Sequence, residues 1–395
     1  MREIKPLTSF RALAAFLVFM YHYAYLYGPM VEEVTGKAEF IPLMPLWRVG
    51  QVGVSLFFVL SGFLITRIYY DTINARQVSL RLFFVKRIAR IWPLFIVLTI
   101  LQHAGMWLGG QEPASTWLVT MSMTQGFFET LRYKGLPTAW SLTIEETFYA
   151  LAPPLYLVIC RFGFGGRLGL PSWNWRQLIR FGTVLGGIVV LFGMSGYVWP
   201  VISRTLGLTY AGFMGSFDHA MRSTLCGRFL EFAVGIACAF VHRQGVLPAF
   251  LRGWRAPALA VVSFVGIGFF MYLKDLALGH GWVPVKLLTS YAIVGCTGLL
   301  ILALSQERTW LNKLLSWRLL VYLGKISYCF YLMQSPVLMQ PLHAVTDHLG
   351  VLRLPALCLL MNLVCAFFYK FVETPTRRAI VARWGQQRNP ADSRS

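Results

Sequence analysis

Ten stretches of this chain are apolar over 18 residues or more, and nothing constrains its fold as strongly. A helix of that length crosses the roughly 30 Å hydrocarbon core of a bilayer. Inside hydrocarbon every backbone N–H and C=O must be paired within the segment, so runs of this kind become helices. They are Phe10 to Gly28, Gly50 to Tyr70, Ile91 to Leu108, Ser141 to Cys160, Leu178 to Val198, Met221 to Val241, Ala256 to Leu273, Val285 to Leu304, Leu319 to Gln340 and Leu354 to Phe371. Composition agrees: 56% of the 395 residues are hydrophobic and 13% charged, against about a quarter charged in soluble domains. A soluble globular enzyme is excluded. The expected fold class is all-α, a polytopic integral membrane helical bundle of about ten transmembrane helices.

The formal net charge of +20 would suggest nucleic acid in a soluble chain, but here the basic residues flank the apolar runs. The ends and alternate connections (1–11, 67–90, 161–180, 242–255, 306–325, 370–395) hold 26 of the 36 Lys and Arg; the intervening connections hold 8. By the positive-inside rule both termini are expected in the cytoplasm, with an even number of spans and no nucleic-acid partner. Residues 116–128, inside the long connection from Gly109 to Ala139, are expected as a re-entrant or interfacial helix on the outer side. A transmembrane domain over 1–380 and a polar, disordered tail over 381–395 complete the expected organisation. The first run ends in Tyr21-His22-Tyr23 without a small-residue cleavage site, unlike a signal peptide. Seven cysteines without Cys-x-x-Cys spacing give no metal signature.

An ionisable side chain inside a span costs at least about 2.5 kcal/mol on insertion scales, which marks it as a functional candidate. Those here are Arg11 and His22 in the first run, Glu145 and Glu146 in the fourth, and Arg222, Arg228 and Glu231 in the sixth. Arg11 and His22 fall within about 20° of one helix face, roughly 16 Å apart along the axis. Counted from the run boundaries, His22 lies about 9 Å and Glu145 roughly 6 Å below the outer end of its span, a shared level. An imidazole paired with a carboxylate can act as general base toward an alcohol; a structural His–Glu hydrogen bond fits the spacing equally. Arg228 and Glu231, at i and i+3, read as a structural ion pair. Arg81, Lys86, Arg87 and Arg90 precede the third run. They read first as topology signals and lipid-phosphate contacts, and alternatively as a phosphate site for a cytosolic nucleotide-bearing donor.

Six strings, in order, resemble the acyltransferase 3 family of membrane O-acyltransferases. Ser9-Phe10-Arg11-Ala12-Leu13-Ala14-Ala15 ending at Tyr21-His22 is similar to the family's Arg-x10-His opening. Gly53-Val54-Ser55-Leu56-Phe57-Phe58-Val59-Leu60-Ser61-Gly62 follows, then Arg87-Ile88-Ala89-Arg90-Ile91-Trp92-Pro93 and Trp140-Ser141-Leu142-Thr143-Ile144-Glu145-Glu146-Thr147-Phe148-Tyr149. Leu323-Gly324-Lys325-Ile326-Ser327-Tyr328 and Glu373-Thr374-Pro375 before Arg377-Arg378 close the series. Gln334 departs from it, standing where relatives often have His, as do Ala12 in place of a frequent Gly and Ser55 in place of a common acidic residue.

The resemblance implies transfer of an acyl group, most often acetyl, from cytosolic acyl-CoA to a hydroxyl at the outer half of a bacterial cytoplasmic (inner) membrane. The acceptor implied is a glycan, a lipid-linked sugar or a glycosylated small molecule, and no metal is needed. His22 is then the general base, or less readily a transient acyl carrier, and Glu145 orients it. Arg11 holds the donor's phosphate or pantetheine carbonyls, Arg87 and Arg90 its nucleotide phosphates, and Trp140 and Ser141 join the substrate site. Some relatives carry an extra hydrolase-like domain; this chain is expected to act through the membrane domain alone. The competing class is a transporter of sugars or organic anions using His22, Glu145 and Arg11 as proton and substrate site, or a glycan flippase. The absence of a visible inverted repeat counts weakly against transport.

Overall fold

A computed structural model describes residues 3–27, 44–74, 79–110, 116–164, 175–244, 254–305 and 309–385. In chain order its α-helices are α1 (Lys5–Tyr23), α2 (Met44–Arg48), α3 (Gly53–Asn74), α4 (Leu80–Leu108), α5 (Trp117–Met121), α6 (Trp140–Ile159), α7 (Trp175–Thr205) and α8 (Phe217–Ser223). They continue as α9 (Leu225–Gln244), α10 (Arg255–Gly279), α11 (Val283–Leu304), α12 (Trp310–Leu315), α13 (Arg318–Leu332), α14 (Pro336–Thr346), α15 (Arg353–Phe368) and α16 (Thr374–Trp384). No β-strand forms among the described residues; the one extended pairing is an isolated antiparallel bridge between Phe128 and Phe213.

Six helical segments among the described residues are long and apolar enough to cross a membrane: Gly50–Ile73, Ile179–Thr205, Phe217–Arg243, Arg255–Gly279, Val283–Leu304 and Pro336–Trp384. The other expected spans are helical too, but α1, α4 and α6 carry the ionisable side chains singled out above. The expected span Leu319 to Gln340 breaks into α13 and α14, because Ser335 precedes Pro336 and takes the extended conformation that proline imposes on its neighbour. The expected span from Met221 is also displaced. Helix α8 ends at Ser223, Thr224 is extended, and α9 restarts at Leu225. Residues 116–128 form the five-residue α5 and a short 3₁₀ turn, far below the length of a span. Val381 to Trp384, expected in the tail, remain helical; residues 386–395 lie outside the described residues.

The chain divides into two compact units. Unit one holds residues 1–66, 171–174 and 229–363. Its core gathers Leu7, Phe10 and Ala14 of α1 with Leu56, Val59 and Phe63 of α3 and Ile293 and Ile301 of α11. Helices α10 and α11 pack as a hairpin, with Ala256, Ala260, Ser263 and Ile267 buried along α10 at helical spacing. Small residues let helices approach where hydrocarbon outside removes any hydrophobic drive to associate. Arg48 of α2 pairs with Asp275 of α10 at 3.1 Å.

Unit two holds residues 67–170, 175–228 and 364–395. Here α4 packs on α16, and α8 on α7. Val190, Leu191, Met194, Val198 and Val201 of α7 face outward, an arrangement that lipid tolerates and water does not.

Candidate active site

In unit one the candidate residues ride on α1, which glycines of facing segments approach closely. A Cβ on Gly53 would overlap the Ala14 carbonyl oxygen, and one on Gly324 of α13 would overlap that of Thr8. Two strings of the family resemblance therefore contain residues whose task is to let backbones meet. Ser9 adds a hydrogen bond from Oγ to the Leu315 carbonyl at 2.5 Å.

Helix α1 spans Lys5–Tyr23 and runs on into a 3₁₀ turn over Ala24–Tyr27, so His22 stands in the last α turn ahead of that 3₁₀ turn. Arg11 and His22 are both half-buried and keep their common stripe. Gln334 reaches that stripe between them: its Nε2 donates to the Ala15 carbonyl at 3.2 Å. That contact turns Oε1 the other way, where it is buried without a hydrogen-bond partner among the described residues. Sequence reasoning noted Gln334 as a departure and could not place it, because the break after α13 is a tertiary feature. Phe330 meets Phe19 of α1 with ring centroids 5.5 Å apart, and His343 of α14 meets Tyr23 at the same separation.

In unit two, Arg87 is the centre of a buried polar group. Its Nη2 donates to the Tyr69 hydroxyl at 3.3 Å, and its Cζ lies 5.3 Å from the Tyr69 ring centroid and 5.7 Å from that of Tyr149. The Tyr149 hydroxyl donates to Glu145 Oε1, one turn back on α6. Glu145 and Glu146 are both within Coulombic reach of Arg87. The third span was expected to start at Ile91 with Arg87 at its mouth. Instead α4 begins at Leu80, and Arg87 sits level with Tyr149, halfway along the 20-residue α6. Arg90, one turn further on α4, is half-buried.

The N-terminal end of α6 is tied to the loop before it. Thr143 Oγ1 accepts from the Gly126 amide at 3.0 Å and donates to the Met123 carbonyl at 2.7 Å. Gln125, fully buried, donates to the carbonyls of Arg132, Lys134 and Leu136 and so shapes the loop. The same loop pairs with residues 211–214: Glu129 N donates to Gly212 O at 3.2 Å and Met214 N to Phe127 O at 2.9 Å. Two connections that charge placed on one side are thus joined. Arg132 Nη1 donates to Ser223 Oγ at 2.6 Å, and buried His219 lies against the Gly126 and Phe127 backbone. Trp140 opens α6, and Ser141 is buried with its hydroxyl on the Thr138 carbonyl at 3.0 Å. None of these loop contacts had a local sequence signal.

The structure therefore gathers Arg87, Arg90, Glu145, Trp140 and Ser141 into unit two, and Arg11 and His22 into unit one. Arg228 and Glu231 stand one turn apart on α9, Glu231 buried. Arg222, expected inside a span, forms an exposed pair with Asp218 at 2.7 Å on α8.

Residues 6–370 match the model of a family described as an acyltransferase domain. A peptidoglycan O-acetyltransferase of Listeria monocytogenes is 24% identical over 95% of this chain and 56% of its own length. A Bacillus subtilis protein provisionally named a peptidoglycan O-acetyltransferase is 26% identical over 83% of this chain and 50% of its own. A Staphylococcus aureus protein provisionally named an O-acetyltransferase is 22% identical over 96% and 58%. The chain thus spans about half the length of these curated relatives. No solved structure matches it.

Proposed function

The chain belongs to the acyltransferase domain family, and from that premise we propose that it is a membrane O-acyltransferase. It moves an acetyl group from cytosolic acetyl-CoA to a hydroxyl of a glycan at the outer half of the bacterial cytoplasmic membrane. The observation that carries this reading is the family match over residues 6–370, which includes the α1 stripe of Arg11 and His22. The names of the relatives favour a cell-wall glycan as the acceptor.

In this mechanism His22 takes the proton of the acceptor hydroxyl as its oxygen attacks the thioester carbonyl. The tetrahedral intermediate collapses, the ester forms, and the CoA thiolate leaves with a proton returned from His22. Glu145 is the carboxylate of this reading, and Tyr149 fixes its rotamer through its hydroxyl. Arg11 holds the donor arm, Arg87 and Arg90 the donor's phosphates, and Trp140 and Ser141 border the acceptor. The CoA head group stays on the cytosolic side, since its charge forbids passage through hydrocarbon.

The test is reconstitution of the full chain in vesicles with acetyl-CoA labelled in the acetyl group and a peptidoglycan glycan as acceptor. Label should appear covalently in the glycan with wild-type protein and not with His22→Ala. Label that never enters any glycan while wild-type protein is correctly inserted would sink the reading.

A further inference from the structure

Arginines from two segments far apart in sequence come together in unit two. Helix α16 packs against α4, which brings together segments 67–90 and 370–395, each with six basic residues. Arg377 of α16 lies within Coulombic reach of both Arg90 and Arg87. Guanidiniums repel one another, and the cost of holding three together in a partly apolar setting falls sharply when an anion joins them. The carboxylates within Coulombic reach are Glu145 and Glu146 on α6, which act on Arg87, and Glu373 in the turn before α16, which acts on Arg377. Arg90 has none of them as an ion-pair partner within 4 Å among the described residues.

A second observation is independent of charge counting. Arg87 is 9% exposed, and its Nε has no hydrogen-bond partner among the described residues. An N–H buried without an acceptor costs about 1–3 kcal/mol, which an anionic oxygen at this position would recover. Arg377 is exposed, so the group is open on the α16 side. Planar guanidiniums that converge from two helices suit the oxygens of a phosphate monoester or diphosphate.

We propose that Arg377 of α16 joins Arg87 and Arg90 of α4 in one phosphate-binding subsite, with the C-terminal helix as its outer wall. This rests on the donor reading of Arg87 and Arg90 above. It goes beyond that reading in giving a ligand contact to Arg377 of α16. The ligand chemistry is a phosphate ester, supplied by the nucleotide of the acyl donor or by an anionic lipid headgroup.

The test compares wild-type, Arg377→Gln and Arg377→Lys full-length protein in nanodiscs of phosphatidylcholine alone, and of phosphatidylcholine with phosphatidylglycerol. Direct binding of CoA and of dephospho-CoA is measured, with mass spectrometry of retained lipid. For a nucleotide ligand, Arg377→Gln should weaken CoA binding about tenfold in neutral lipid, and Arg377→Lys should recover part of the loss. If CoA binding is unchanged but Arg377→Gln releases a phosphatidylglycerol that wild-type protein retains, the subsite stands with a headgroup as its ligand. Unchanged CoA affinity together with unchanged lipid retention, in correctly inserted protein, overturns the proposal. Binding is read without turnover, so a chain that binds CoA through Arg377 and labels no glycan would refute the acetyl-transfer reading and leave this subsite intact.

Discussion

Arg87 donates to the Tyr69 hydroxyl at 3.3 Å and lies over the Tyr69 ring, so a residue that sequence reads as a topology signal is built into the core of unit two. Lysine cannot replace it there, because an ammonium lacks the flat face that packs on two tyrosine rings. Arg87→Lys should therefore lower stability by about 1–2 kcal/mol, whereas Arg90→Lys, at a half-buried position, should change it by no more than about 0.5 kcal/mol. Thermal unfolding of the purified protein in detergent checks this. Equal effects of the two substitutions would mean that the tyrosine contacts contribute nothing.

His22→Ala should abolish acetyl transfer at normal expression and insertion. Glu145→Gln should reduce it by about 10²-fold or more, since the amide keeps the size of the side chain and loses its charge. Glu146 points about 100° away from Glu145 on α6, and Glu146→Gln should be the milder change. Tyr149→Phe frees Glu145 from its one-turn partner and should lower the maximal rate without raising the apparent Michaelis constant for acetyl-CoA. Initial rates in membranes containing matched amounts of protein measure all four. A Glu146 variant more damaged than the Glu145 variant would reverse the assignment.

Gly324→Ala should prevent α13 from closing on α1, because the new methyl group would occupy the space of the Thr8 carbonyl. Folded yield should fall severely. Gly182 on α7 has open space around it, and Gly182→Ala should be neutral or stabilise by about 0.5–1 kcal/mol through helix propensity. Size-exclusion profiles of the two variants distinguish them, and a well-folded Gly324→Ala protein would contradict the close approach.

Reporter fusions after Arg76 and Gly166 should read cytoplasmic and one after Gly279 external, as the partition of basic residues requires. A fusion after Gly385 should read cytoplasmic. An external reading there would separate α16 from a cytosolic donor and remove the nucleotide arm of the phosphate subsite.

From sequence alone came the helical class, the placement of most apolar segments and the pairing of Arg11 with His22 on one stripe. These rest on local quantities: hydropathy over a window of about 20 residues, and the fixed angle between residues on a helix. Sequence also named Arg87, Glu145 and the glycine strings, but not what each of them does. Only tertiary structure decided that Arg87 packs on Tyr69 and Tyr149, that Gln334 lies over Ala15, that Thr143 anchors the loop before α6, and that Arg377 approaches Arg87 and Arg90. Breaks such as those at Thr224 and Ser335 shift helix ends by a turn or more. The partners of a buried polar side chain come from segments tens to hundreds of residues away, and no local period encodes which of them will meet.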